Sequence, residues 1–221
     1  QETGKQVQLS EVKVPTPTTP SKMPALWNNY HEMADKVGNP KPTHPLYFFK
    51  PSNCFAASGD TIYRPKGYTG KIVYEGEIGI VLGKKCKNLD KEEAENVIFG
   101  YTCINDITAP EIINSDSSFA QWTRSKGFDG FGSFGPVIAT GLNSSDLKVV
   151  TVLNGEERQN YHVSDMIIPP IDIVRLLSWD MTLNPGDIVC CGTNIGVGSM
   201  KEPLNKVEVK IAGIGTLFNT F

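Results

Sequence analysis

The sequence predicts a β-rich α+β domain with a few short helices. Three observations carry this prediction. Apolar runs of strand length greatly outnumber stretches with helical spacing; Asn154-Gly155 separates LKVVTVL from EERQNYHV; and the chain closes on two alternating segments, VEVKI and GTLFNTF, with Gly213 and Gly215 between them. With 221 residues, 39% of them hydrophobic, the chain has enough apolar material for one sizeable core.

Residues 1–22 are polar and interrupted by Pro15, Pro17 and Pro20, which predicts an extended arm ahead of a domain over 23–221. Residues 26–37 predict a short helix, broken by PKPTHP at 40–45 before the apolar strand LYFFK at 46–50 and a loop with Gly59 and Asp60. KIVYEGEIGIVLG at 71–83 alternates with apolar residues on both faces, the pattern of a buried strand. Asp90 and Glu93 form a capping-box pattern for the helix KEEAENV, and VIFGYTCIND reads as a buried strand ending at Asp106. The stretch 107–135 is rich in Gly, Ser and aromatics without a clean period and reads as a long loop, where function tends to sit. After the hairpin, PPIDIVRLLSWDM carries Ile171, Val174, Leu177, Ser178 and Met181 at helical spacing behind prolines that suit a first turn, with Trp179 and Met181 expected in the core. Asn184-Pro185-Gly186-Asp187 then turns the chain into the strand IVCCGT.

A net charge of -3 with scattered Lys and Arg disfavours nucleic acid as a partner. No apolar run approaches the roughly 20 residues that span a bilayer, and no basic-then-apolar signal opens the sequence, so a soluble, cytoplasmic protein is expected. Five cysteines, an odd number that includes the adjacent Cys190 and Cys191, point to a reducing compartment. The lack of a C-x-x-C spacing disfavours a thiolate zinc site. Asn143-Ser144-Ser145 fits a glycosylation acceptor, but it needs a secretory context that nothing else supplies.

Glu75 and Glu77 are the misfit in the buried strand. Two residues apart, they project to one side roughly 7 Å apart at the backbone, close enough to share a cation. Asp106, ending another apolar strand, adds a third oxygen donor, and three carboxylates favour a hard ion, Mg²⁺ or Mn²⁺. The alternative is a solvent-facing edge strand with Asp106 as a cap.

YEGEIGIVLGKK, GYTCINDITA, QWTRSKGFDGFGSFGPVI, LNGEERQNYHVSDMI, MTLNPGDIVCCGTNIGVG and IAGIGTLFNTF resemble the fumarylacetoacetate hydrolase family in order and spacing, over about residues 22–221. The resemblance implies a mixed β-roll, commonly a homodimer, with Glu75, Glu77 and Asp106 as ligands of Mg²⁺ or Mn²⁺ and a small 2-oxo or 2,4-dioxo acid as substrate. It places Lys126 near the ion and Gln121 and Thr193 along the pocket; read alone, Lys126 is equally a solvated lysine and the other two ordinary polar groups. Asp129 either braces its loop or belongs to the site, and Gly196 and Gly198 allow close backbone approach.

The sequence departs from the family at its lid motif, Asn-Tyr-x-x-His-x-x-Glu. Aligned on Asn29 and Tyr30, the His and Glu positions hold Met33 and Lys36, and Asn28, preceded by Trp27, stands where an arginine is often found. His31 and Glu32 lie close by as candidates for a displaced dyad, and His31 is offset from Met33 by about 200° around a helix. Hydrolysis of a C–C bond in a 2,4-dioxo acid, as the family's commonest activity, stands first. The alternatives are an isomerase, keto-enol tautomerase or decarboxylase of a 2-oxo acid, and a non-catalytic relative that binds one.

Overall fold

The computed structural model describes Gly4, Gln8 and residues 13–221. The expected arm falls outside the described residues for the rest of 1–12, and over 13–22 it runs without helix or strand. The first half of the chain forms β1 (Met23–Trp27), α1 (His31–Val37), β2 (Leu46–Lys50), β3 (Phe55–Ala56), β4 (Val73–Tyr74), β5 (Gly76–Leu82), α2 (Lys91–Val97) and β6 (Ile98–Asp106). There follow α3 (Pro110–Ile113), α4 (Trp122–Lys126), β7 (Gly132–Ala139), β8 (Lys148–Leu153), β9 (Glu156–His162), α5 (Pro170–Asp180), β10 (Ile188–Cys190), β11 (Gly198–Ser199), β12 (Lys206–Ile211) and β13 (Gly215–Thr220).

Seven strands form a mixed sheet in the order β2-β1-β10-β5-β6-β7-β3, parallel where β1 meets β10 and β3 meets β7 and antiparallel elsewhere. All seven residues of β5 are buried, as a strand apolar on both faces requires. A four-stranded antiparallel sheet, β13-β12-β8-β9, packs against it, and Ile78 and Ile80 of β5 share one core with Val149, Leu177 and Val209. Each such fully buried side chain contributes about 1.5–3 kcal/mol. The two sheets press tightly together at Gly76, where a Cβ would lie 1.9 Å from the Thr151 hydroxyl oxygen of β8. The result is the expected mixed β-roll with few helices.

Local signals explain the elements that the sequence predicts well. Asn154 and Gly155 both take positive φ, 53° and 86°, as the tight β8–β9 turn requires. The Asp90 side chain accepts from the Glu93 N–H, and the Glu93 side chain accepts from the Asp90 N–H, so α2 has a complete capping box. α5 buries Val174, Leu177 and Ser178 on the predicted face.

Four expectations need correction. Residues 26–27 end a strand, and the helix starts only at His31; β1 is stabilised by pairing with β2 and β10 rather than by local propensity. The strand expected over 71–83 breaks at Glu75, whose carbonyl accepts from the Asp106 N–H instead of continuing the β5 ladder. The expected loop over 107–135 holds α3, α4 and the start of β7, the helices being too short to show a period. Trp179 is half-exposed rather than core, under the Arg175 guanidinium and donating through Nε1 to the Leu89 carbonyl.

Candidate active site

The β5–β6 register sets Gly76 opposite Asn105, which brings Asp106 beside Glu75 at the break in the strand. One carboxylate oxygen each from Glu75, Glu77 and Asp106 lies within 4.8 Å of the other two. Glu77 and Asp106 are fully buried, and the Glu75 side chain is 17% exposed. Acids this deep need cations.

Two lysines supply part of that charge. Lys126, ending α4, donates to Glu75 at 2.9 Å and to Asp106 at 2.6 Å. Lys50, ending β2, donates to the other Asp106 oxygen at 2.5 Å and to the Lys126 carbonyl at 2.6 Å. Asp106 is therefore paired on both oxygens, whereas among the described residues Glu77 accepts only from the Gly192 N–H at 2.9 Å and its Oε1 has no partner. Three carboxylates meet two ammoniums, which leaves one negative charge uncompensated.

Burial, and after it the Asp106 charge, pushes the Glu77 carboxyl well above the usual carboxylate range. Burial alone would raise Asp106 as well, but the Lys126 and Lys50 ammoniums override it and hold that carboxyl low. For Lys126, burial would lower the ammonium's pKa; the Asp106, Glu75 and Glu77 carboxylates outweigh it and keep the group protonated. An orphaned buried carboxylate oxygen, three acidic groups within one ion's reach, and no thiol or imidazole among them together fit a hard divalent cation.

Glu75 and Lys126 open into a cleft of about 380 Å³. A larger groove of about 1000 Å³ runs past Arg64 and Asp129, but it does not reach the carboxylates, which makes the smaller cleft the candidate site. Thr193 lines this cleft, donating to the Gly76 carbonyl at 2.9 Å and accepting from the Gln159 side chain at 2.9 Å. Gln121 lies outside it, at the start of α4, with its amide donating to the Phe119 carbonyl. Asp129 accepts from the Asn53 side chain at 2.7 Å and braces its loop in the larger groove. Helix α1 turns Met33 and Val37 toward the cleft, and His31 and Glu32 are not among its lining residues. Glu32 is engaged elsewhere, accepting from the Asn194 side chain at 3.3 Å. Gly196 approaches backbone as expected, since a Cβ there would meet the Arg158 carbonyl oxygen at 2.1 Å.

Lys50 was not among the residues the sequence singled out. The signal was present: in LYFFK the inward positions are Phe48 and Lys50, and a lysine on the buried face of an apolar strand demands an acid partner.

Comparison with known proteins agrees with this geometry. The sequence model of the fumarylacetoacetate (FAA) hydrolase C-terminal domain matches residues 22–221. The 5-carboxymethyl-2-hydroxymuconate delta-isomerase from Mycobacterium smegmatis superposes with a TM-score of 0.88 at 35% identity, over 98% of this chain and 84% of that one. The 2-hydroxyhepta-2,4-diene-1,7-dioate isomerase from Mycobacterium marinum gives a TM-score of 0.87 at 35% identity, over 98% and 80%. Oxaloacetate tautomerase YisK from Bacillus subtilis is 35% identical over 224 aligned positions, 96% of this chain and 73% of the relative. A domain match across nearly the whole chain, on a fold that holds its acids where β5 and β6 meet, shows that the chain belongs to the fumarylacetoacetate hydrolase family.

Proposed function

We propose that the protein moves a proton between carbon and oxygen on a small 2-oxo acid, as a tautomerase or isomerase. The observation that carries the reaction type is the face α1 presents to the cleft: Met33 and Val37, with His31 and Glu32 outside it. Cleavage of a 2,4-dioxo acid, which the resemblance puts first, needs a base that activates water, and this helix face offers none. Proton relocation needs only one acid or base beside the carbonyl. The names of the Bacillus tautomerase and the two mycobacterial isomerases support the same reading.

Glu75, Glu77 and Asp106 would hold Mg²⁺ or Mn²⁺, and such an ion supplies positive charge that polarises a 2-oxo group. Lys126 keeps a proton on Nζ at the base of the cleft, where it donates to a substrate carboxylate or to the oxygen that gains charge as the enolate forms, while the proton leaving carbon passes to water in the solvent-open cleft. Lys50 fixes Asp106, so that Lys126 is oriented by two carboxylates and not one. Thr193 borders the same space with its hydroxyl, and Gln121 and Asp129 act as positioning residues of α4 and its following loop. The five free, buried thiols support a reducing, cytoplasmic setting, and closed two-fold symmetry makes a homodimer the default assembly.

The test is to supply metal-stripped protein with Mg²⁺ or Mn²⁺ and follow two signals: the ultraviolet absorbance of the enol of phenylpyruvate, a 2-oxo acid with one carboxylate, and pyruvate release from acetylpyruvate. Faster enol conversion that falls at least about a hundredfold in Lys126→Met supports the proposal. Pyruvate release without enol conversion would replace it with hydrolysis. Oxalate binding with neither signal would point to a non-catalytic binder.

A further inference from the structure

The walls of the cleft differ in kind from its base. Among the described residues that line it, Glu75 and Lys126 are the only charged ones, and both are already paired at the base. From there the surface turns aromatic. The Lys126 ammonium stands 5.3 Å from the centre of the Phe48 ring, Phe48 stacks on Trp122 with 5.6 Å between centroids, and Trp122 meets Trp27 at another 5.6 Å. Met33 and Val37 of α1 face the same space. Trp27 is 40% and Val37 54% exposed, so apolar surface is left uncovered at the mouth. Asn28 is buried with a φ of 59°; its Nδ2 donates to the Pro40 carbonyl at 2.9 Å, and its Oδ1 has no partner. It lines the cleft without bringing a cation to it.

We infer that this cleft takes a 2-oxo acid whose far end is uncharged and apolar, an aryl group above all, and that it rejects a second carboxylate. The inference rests on the 2-oxo acid reading proposed above. The paired base receives the 2-oxo acid head, and the Phe48–Trp122–Trp27 wall covers the tail. A distal carboxylate would lose its hydration against that wall and meet no free cation there. A planar ring stacks on the indoles and covers the exposed apolar surface at the mouth. The volume of about 380 Å³ suits a ligand of that size.

Calorimetric titration of the Mg²⁺-loaded protein with pyruvate, phenylpyruvate and 2-oxoglutarate tests the inference: a head without a tail, with an aryl tail, and with a carboxylate tail. Phenylpyruvate is expected to bind at least about tenfold more tightly than pyruvate, and 2-oxoglutarate no more tightly than pyruvate. Trp27→Arg places a guanidinium on a half-exposed position, where the fold tolerates it, and is expected to shift the phenylpyruvate-to-2-oxoglutarate affinity ratio about tenfold toward the diacid. If 2-oxoglutarate matches phenylpyruvate in the parent protein, or the ratio ignores Trp27→Arg, the inference is overturned while any enol conversion stands. Preferential phenylpyruvate binding without enol conversion removes the proposed reaction and leaves the inference in place. Binding of none of the three overturns both.

Discussion

Asp187 and Glu77 are both buried carboxylates, and their surroundings could hardly differ more. Asp187, just before β10, is saturated. Its Oδ1 accepts from the Ser21 N–H at 3.0 Å, the Ser21 hydroxyl at 2.6 Å and the Lys22 N–H at 3.2 Å; its Oδ2 accepts from the Lys22 ammonium at 2.5 Å and the Asn184 N–H at 2.8 Å. Glu77 has one backbone donor and an oxygen with none. Burial works against the charge in both cases. At Asp187 the Lys22 and Ser21 bonds override it and lower the pKa, whereas at Glu77 burial prevails and the pKa rises. A carboxylate with every acceptor filled ties segments together, here the N-terminal arm to the turn before β10. One left partly empty at the same depth lowers the stability of the bare fold and waits for a cation.

The contrast predicts opposite responses to removing charge. Asp187→Asn should destabilise the protein by about 1.5–3 kcal/mol in denaturant unfolding, because it weakens the hydrogen bonds to a charged acceptor and removes the Lys22 ion pair. It should leave Mg²⁺ or Mn²⁺ affinity unchanged. The effect has a pH signature. A depressed folded pKa contributes stability above the unfolded value of about 3.9, and that contribution is lost as pH falls through the folded value. Acid unfolding below about pH 4 should therefore be shallower in Asp187→Asn than in the parent. Equal slopes would mean that another acid governs the transition.

Glu77→Gln should do the reverse. Metal affinity measured by calorimetry should fall by about a hundredfold or more, while stability in the presence of a chelator changes by less than about 1 kcal/mol or increases, since an unsatisfied buried carboxylate disappears. A large stability loss in chelator would show that the oxygen does structural work. The smallest effect belongs to a third kind of carboxylate, exposed and satisfied. Asp90→Ala, which removes the α2 cap, should cost about 1 kcal/mol and touch neither metal affinity nor the acid slope. If its cost rivalled that of Asp187→Asn, local capping and not long-range pairing would set the scale.

How much of this was legible beforehand follows from what each signal encodes. Alternation in β5 and β6 identifies buried strands, and Glu75, Glu77 and Asp106 stand out because an acid in such a strand is an exception. Turn and cap chemistry is equally local, so the Asn154-Gly155 hairpin and the α2 cap were readable. Pairing partners are not encoded locally. β1 looked like the start of a helix because what makes it a strand is Cys190, across the chain, and the residues of β2. The LYFFK pattern puts Lys50 on a buried face but does not encode its partner, since Asp106 lies 56 residues away. The cleft wall was hidden for the same reason: Trp27 and Trp122 become neighbours only through the sheet and α4.

The close contact at Gly76 divides the molecule into parts that can change and parts that cannot. A strand pressed against Thr151 with no room for a methyl group ties the position of Glu75 and Glu77 to the spacing of the two sheets. Any side chain at 76 would wedge the layers apart and displace the acids together with them. The mouth of the cleft is less constrained, since the Trp27 and Val37 side chains are half-exposed and a change there meets solvent on one side. Sequence drift in relatives of this chain should therefore retune which acid is accepted at the rim and leave the chemistry at the floor intact.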